Sequence, residues 1–299
     1  AAARNFAAEQ AQGDWLIMLD DDSYPLDTDF ITVLNEAPPD VAAIGADIRL
    51  PDERREAGGL PEVFVGCGAA IRRQAFLDVG GYDPSFHYYV EEYDLCAKLL
   101  LAGHRIVHDE RFRVKHEKVS AGRDMNVILK YLVRNNGWIV QRYAPPEQRL
   151  TMLGETIVRY GRIAQIESAE AGYLAGLQEL FARLRDQPSR QMPPSLFDRF
   201  TGLAHARHML AKSPQVTEGT RVALVDQGKN AWAVVQALRE IGATIVDEQS
   251  AAEFLVIGTL SPGPMLDAYE HRRSCAQDVL MPWSSATAPS FGVTCGSVR

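Results

Sequence analysis

The sequence predicts an α/β protein, and three observations carry that expectation. An apolar run at residues 15–19 (Trp-Leu-Ile-Met-Leu) leads directly into Asp20, Asp21 and Asp22, the pattern of a buried strand ending in an acidic tip. Strand-like and helix-like stretches alternate over residues 15–116 and again over 220–281, which implies strands joined by helical crossovers. Between these parts, residues 125–184 carry apolar side chains at helical period with few strand signals. The expected organisation is therefore an α/β domain at 1–124, a helical extension and linker at 125–215, and a small α/β block at 216–299.

The elements follow in order. Residues 1–12 are Ala-rich and form a helix stopped by Gly13-Asp14. After strand 15–19 and its acids comes a helix at 30–36, closed by Pro38-Pro39, and a second strand at 41–48. The charged stretch 51–59 reads as a mobile loop, and 63–71 as a strand of small residues. A short helix at 74–79 ends at Gly80-Gly81, and a longer one at 91–101 stops before Gly103. Short strands at 105–108 and 112–116 complete this part. Helices at 125–143 and 148–184 are separated by Pro145-Pro146, and a further helix spans 196–210. The last block has strands at 221–225, 244–246, 254–257 and 278–281 with helices at 230–241 and 265–273, then a loose tail beyond Trp283.

Bulk properties narrow the function classes. The 299 residues are 46% apolar and 23% charged, ordinary for a globular chain with sizeable cores. A formal net charge of -8 argues against a broad nucleic-acid surface. No apolar run reaches the length of a membrane span, and no opening stretch has the pattern of a signal peptide. Cys67, Cys96, Cys275 and Cys295 are far apart and show no metal-ligand spacing, which suits a reducing cytoplasm.

Three groups of residues point to chemistry. Adjacent carboxylates at Asp20, Asp21 and Asp22 repel one another, and a divalent cation is the simplest relief; capping the next helix is the plainer alternative. Glu91, Glu92 and Asp94 open a helix, with Glu91 and Asp94 on one face. Such acids complement the helix dipole, and Asp94 can pair with Lys98; crowded carboxylates also raise each other's pKa toward that of a general base. His116 follows a strand and gains interest only beside a metal, where a neutral imidazole completes an oxygen-rich site.

Taken in order, these residues carry a resemblance. Ala3-Arg4-Asn5, Gly13-Asp14-Trp15 and Leu19-Asp20-Asp21-Asp22 resemble the run into the aspartate motif of family 2 glycosyltransferases with the GT-A fold. Gly68-Ala69-Ala70-Ile71-Arg72-Arg73, Gly80-Gly81-Tyr82-Asp83, Tyr89-Val90-Glu91-Glu92-Tyr93-Asp94-Leu95 and His116 continue the pattern. Tyr131-Leu132-Val133-Arg134-Asn135 is similar to the helix that follows the catalytic domain in the rhamnosyltransferase-like branch. The resemblance covers about residues 1–143.

That resemblance implies a GT-A-like, Rossmann-like mixed sheet. It implies transfer of a sugar, with inversion, from a nucleotide-diphosphate donor to the hydroxyl of a glycan or lipid-linked acceptor. It also implies a divalent cation, Mn2+ or Mg2+, held by Asp22, Asp20 and His116, with Arg4, Asp20 and Asp21 contacting the donor. Glu92 falls on the catalytic base, and Glu91 and Asp94 on its partners or acceptor contacts. Glu92 is one methylene longer than the Asp common at that position, so Glu91 or Asp94 remains open as the base. The family normally has two or three strand–helix units before the first helix, for the nucleotide base and ribose, so the chain reads as an N-terminal truncation that would then be inactive alone. The expected location is the cytoplasm, with peripheral association at the inner face of the membrane compatible with a lipid-linked acceptor.

Two rivals stand beside this. A phosphotransferase of the haloacid-dehalogenase type would use Asp20 as nucleophile, and a non-catalytic binding module would keep only the scaffold. In the last block, Val225-Asp226-Gln227-Gly228-Lys229-Asn230 keeps one glycine of the dinucleotide fingerprint, so a packing, regulatory or partner-binding role is the expectation there.

Overall fold

The computed structural model describes residues 1–118, 123–247 and 251–285. Helix α1 (Ala2–Gln10) is followed by β1 (Trp15–Met18), β2 (Ser23–Pro25), α2 (Asp29–Glu36), β3 (Val41–Arg49) and β4 (Ala69–Arg72). Next come α3 (Arg73–Asp78), α4 (Glu91–Leu101), the long β5 (Arg105–His116), α5 (Met125–Tyr143), α6 (Pro146–Ile166) and α7 (Glu170–Ala182). The chain continues through α8 (Pro194–Thr201), α9 (Leu203–Ala211), β6 (Arg221–Val225), α10 (Ala231–Ile241), β7 (Thr244–Ile245), β8 (Phe254–Ile257), α11 (Pro262–Ser274) and β9 (Val279–Leu280). The expected class is the one observed: α/β with a mixed sheet, a helical middle and a small parallel sheet at the end. Beyond Ser285 the expected loose tail lies outside the described residues.

The chain forms two compact units. One comprises Ala1–Gly13, Arg73–Leu101 and Val119–Phe197; the other comprises Asp14–Arg72, Ala102–Lys118 and Asp198–Arg299.

The sheet-bearing unit holds a five-stranded sheet in the order β1-β4-β3-β5-β2. Strands β3 and β5 run parallel, while β1–β4, β3–β4 and β2–β5 are antiparallel. Val33, Ile44, Ile48, Ala70, Phe112 and Val114 form its core, with Phe30 of α2 against Phe112 at 5.4 Å between ring centroids. Strand β1 is an edge strand and only alternate residues are buried, which corrects the expectation of a fully buried strand. Its half-exposed Trp15 is covered by the Arg72 guanidinium, 4.4 Å from the ring centroid.

The two strands expected at 105–108 and 112–116 are one. A register shift against β3 after Ala46 lets Asp109–Arg111 bulge out of the ladder without ending it. The strand expected at 63–71 shrinks to Ala69–Arg72, because Val63 pairs back to Leu60 and Gly68 N–H donates to the Val65 carbonyl. The helix expected over 196–210 breaks at Gly202, whose φ of 84° no interior helical residue adopts. The last block is a parallel sheet ordered β7-β6-β8-β9, with α10 ending at Gly242 in the left-handed conformation.

The helical unit packs α5 against α6 and α7 around Leu129, Val133, Tyr160, Ala164 and Ala169. Asp124 caps α5 by accepting from Asn126 N–H at 2.9 Å. Close approach of α7 to α5 depends on Gly172 and Gly176, because a Cβ at either would overlap backbone atoms of Asn126 or Lys130. Among the described residues no helix is long and apolar enough to cross a membrane.

Gly172→Ala should therefore cost about 1–3 kcal/mol through overpacking. Gly154→Ala, inside α6 with open space at the Cβ position, should gain roughly 0.5–1 kcal/mol. Equilibrium urea unfolding checks both; a neutral Gly172→Ala would contradict the tight α5–α7 contact.

Candidate functional site

In the sheet-bearing unit, three chain segments meet at the end of the sheet where β1 and β5 terminate. The acidic tip is a turn between β1 and β2, closed by Ser23 N–H donating to the Asp20 carbonyl at 3.1 Å and Asp20 N–H donating to Ser23 Oγ at 2.7 Å. Ser23 lies opposite His116 in the β2–β5 ladder, and Glu117 N–H donates to the Asp22 carbonyl at 2.8 Å. Strand pairing thus brings the last residue of β5 beside the acids. Cys67, just before β4, arrives from the third segment.

His116 is the buried centre of this cluster. Its Nε2 lies 3.2 Å from Asp22 Oδ1, and its Nδ1 lies 2.9 Å from Glu56 Oε2. Glu56 is itself buried, and its other oxygen accepts from Lys118 Nζ at 2.6 Å. A carboxylate on one ring nitrogen fixes the imidazole and leaves the other for a ligand or proton. Here that other nitrogen faces a second carboxylate, so the Nε2–Asp22 contact needs a proton or a cation between the two. Asp20, Cys67 and His116 each offer a ligand atom within 4.8 Å of the others. The Cys67 thiol is pushed up to about 12 by burial and by the charges of Glu56 and Asp20, so without a cation it stays protonated at neutral pH. Asp21 is exposed, on the outside of the turn.

The second group of carboxylates lies in the helical unit, at the start of α4. The residues before it take unusual backbone conformations: φ is 63° at His87, 61° at Tyr89 and 70° at Val90, a β-branched residue. Helix α5 holds this segment. Asn135 Nδ2 donates to the carbonyls of Phe86, Tyr88 and Tyr89 at 3.0, 2.9 and 2.7 Å, and Arg134 donates to the Phe86 carbonyl at 2.9 Å. Glu91 and Glu92 emerge half-buried, and Glu91 Oε2 is shielded from solvent without a hydrogen-bond partner.

Asp94 behaves differently. It is 1% exposed, with Arg142 and Tyr143 of α5 both donating to Oδ1, at 2.8 and 2.7 Å, and Lys98 Nζ 3.0 Å from Oδ2. The Lys98 pairing is legible from the i,i+4 spacing, whereas the α5 partners are not. This carboxylate ties α4 to α5. Arg4 is half-buried on α1, where its neighbour Asn5 brackets the Tyr82 backbone through bonds of 2.8 and 2.9 Å. The structure therefore groups Asp20 with Cys67 and His116 and sets Asp22 against His116 Nε2, while Arg4, Glu91, Glu92 and Asp94 belong to the other unit.

Sequence reasoning missed Glu56, Lys118 and Cys67. Glu56 sits in the stretch expected to be a mobile loop, yet it and Arg55 are both buried. Cys67 has no spacing to any other ligand, and only the fold puts it beside His116, with Sγ 3.5 Å from Nδ1. The cysteines thus lack a spacing motif, but one of them has metal-ligating neighbours in space.

No family model matches the chain. It is similar to the glucosyl-dolichyl phosphate glucuronosyltransferase of Haloferax volcanii, 29% identical over an alignment of 147 residues that covers 38% of this chain and 46% of that protein. The chain thus spans less than half the length of this curated relative. Among solved structures it is similar to GalNAc-T7 with UDP, GalNAc and Mn2+, at 14% identity over 62% of this chain and 44% of that one, with a TM-score of 0.42. It is also similar to the mannosyltransferase PcManGT from Pyrobaculum calidifontis in complex with GDP-Man and Mn2+, at 17% identity, 81% and 64% coverage and a TM-score of 0.42. A third is S. aureus TarS, at 12% identity, 58% and 42% coverage and a TM-score of 0.37.

Asp94→Ala should destabilise the protein by about 3–5 kcal/mol, because it leaves the buried Lys98 without its carboxylate and Arg142 with Asp83 as its remaining one. Asp21→Ala, on the exposed turn, should stay within about 0.5 kcal/mol. Urea unfolding of the two variants checks this; a loss under about 1 kcal/mol for Asp94→Ala would remove the tie between α4 and α5 as a structural element.

Proposed function

We propose that the chain carries donor-site and base-bearing parts of a GT-A-like glycosyltransferase of the family 2 type, which moves a sugar from a nucleotide-diphosphate donor to an acceptor hydroxyl with inversion. The observation that carries this reading is the buried His116 at the carboxyl end of β5, pinned by Glu56 on Nδ1 and facing the Asp22 carboxylate with Nε2. The similarity to the glucuronosyltransferase of Haloferax volcanii supports it.

The residues fit a divalent cation. Asp20 and His116 lie within ligand reach of each other and of Cys67, Asp22 Oδ1 lies 3.2 Å from His116 Nε2, and the oxygen and nitrogen donors of Asp22, Asp20 and His116 suit Mn2+ or Mg2+. A bound cation would supply neutralisation of the charge that develops on the departing diphosphate. Arg4 adds positive charge for the donor phosphates, and Asp20 and Asp21 border the donor in this reading.

Glu92 is the proposed base. An acceptor hydroxyl is too weak an acid to ionise at neutral pH, so a carboxylate within hydrogen-bond reach must take its proton as it attacks. Glu91, with its unpartnered oxygen, is placed for the acceptor or for its neighbour. Asp94, bound by Arg142, Tyr143 and Lys98, serves by fixing the helix that presents the other two. The acceptor in this reading is a glycan or a lipid-linked sugar, met at the cytoplasmic face of a membrane.

Calorimetry with Mn2+ and a panel of nucleotide sugars tests the proposal. Mn2+-dependent donor binding should be abolished by Asp22→Ala and by His116→Ala. Glu92→Gln should leave donor binding intact and remove turnover; unchanged turnover would move the base to Glu91. If neither this chain nor an N-terminally extended form binds any donor, the enzyme reading fails.

A further inference from the structure

The C-terminal α/β block holds one loop of the sheet-bearing unit with unusual firmness. Arg55, in the charged loop after β3, has a side chain only 3% exposed. Its Nε donates to Asp47 Oδ1 at 2.9 Å, on β3. The rest of the guanidinium is taken up by α11: Asp267 Oδ1 at 2.8 Å, and Glu270 with two bonds of 2.9 and 2.7 Å. The Arg55 backbone N–H also donates to Asp267 Oδ2 at 2.8 Å. A forked, multiply bonded arginine fixes both direction and distance, unlike a single surface ion pair.

The bonds continue on the other side of Glu56. Glu56 N–H donates to the Ile48 carbonyl at 2.8 Å, Gly58 N–H donates to Ser261 Oγ at 3.0 Å, and Ser261 Oγ–H donates to the Gly58 carbonyl at 2.5 Å. Gly263, near the start of α11, lies so close that a Cβ there would overlap the Glu56 carbonyl oxygen. Glu56 is thus bracketed by contacts from α11 and the residue preceding it, and its side chain is the group that orients His116.

We infer that the C-terminal α/β block is the positioning element for His116: α11 clamps Arg55, and the clamp holds Glu56 where its carboxylate fixes the imidazole. Asp267 and Glu270 are positioning residues, acting through Arg55 and Glu56 without touching the cation or the donor. The inference extends the proposed cation site, and its consequence for cation affinity rests on that reading. Its link from α11 to the imidazole can be read without it.

The experiment uses the chain labelled with 15N-histidine. The Nδ1–H of His116, donating to Glu56, should appear as a downfield, slowly exchanging ring proton, assigned by its loss in His116→Gln. In the near-isosteric double variant Asp267→Asn/Glu270→Gln this proton should be lost to exchange. The Mn2+ dissociation constant, read from free Mn2+ by electron paramagnetic resonance, should rise about tenfold. Gly263→Ala displaces the same loop without removing a charge and should give both changes, with near-ultraviolet circular dichroism unchanged. Arg207→Ala, which removes ion pairs to Asp198 and Glu240 elsewhere in the unit, should give neither. A wild-type ring proton and wild-type Mn2+ affinity in both α11 variants overturns the inference. If the unmodified chain binds no Mn2+, the cation site falls, and the ring proton alone still decides whether α11 positions His116.

Discussion

Glu56 is the residue on which the candidate site depends. Its carboxylate, itself buried, meets a buried imidazole on one side and the Lys118 ammonium on the other. A carboxylate removed from solvent is costly unless it is paired and bonded, and Glu56 is both. What it fixes is the ring plane of His116 and, through that, which nitrogen looks toward the aspartate turn. The strand ladder supplies the rest of the geometry. Pairing Ser23 with His116 sets the acids and the imidazole side by side whatever their side chains do.

The acidic groups of this chain answer the same electrostatic problem in two ways. Asp94 and Asp47 are buried against guanidinium groups and give up any freedom to bind a ligand. Asp20 and Asp22 keep solvent contact at a turn, and Asp22 faces an imidazole instead of a guanidinium. Glu91 and Glu92 fall between these cases, half-buried at the end of a backbone segment held in an unfavourable conformation by Asn135 and Arg134. Strain of that kind persists only where surrounding bonds over-determine it, and Asn135 alone spans three carbonyls.

Much of the fold was legible because period and punctuation are local. Gly13-Asp14, Pro38-Pro39, Gly103 and Pro145-Pro146 end elements close to where the structure ends them. The errors share a cause. Strand β1 was expected to be buried from its apolar run, but an edge strand and a central strand differ only in their neighbours, and Arg72 covers the exposed ring of Trp15. The split of β5 into two strands came from the polar residues at 109–111, which the structure accommodates as a bulge within one ladder. The charged stretch at 51–59 looked mobile because charge runs usually face water; here Arg55 and Glu56 find their counterions on α11, β3, β5 and in Lys118.

By itself the sequence determined the α/β class, the helical middle and the two carboxylate groups, because hydrophobic period, helix stops and adjacent like charges are all read along the chain. Only the tertiary structure decided which acids are buried against a guanidinium and which stay at the surface beside an imidazole. It also decided that Glu56 and Cys67 stand beside His116, and that a helix more than two hundred residues downstream of Arg55 holds the loop that orients it. These are contacts between segments remote in sequence, set by strand pairing and by the energetic need to neutralise each charge withdrawn from water.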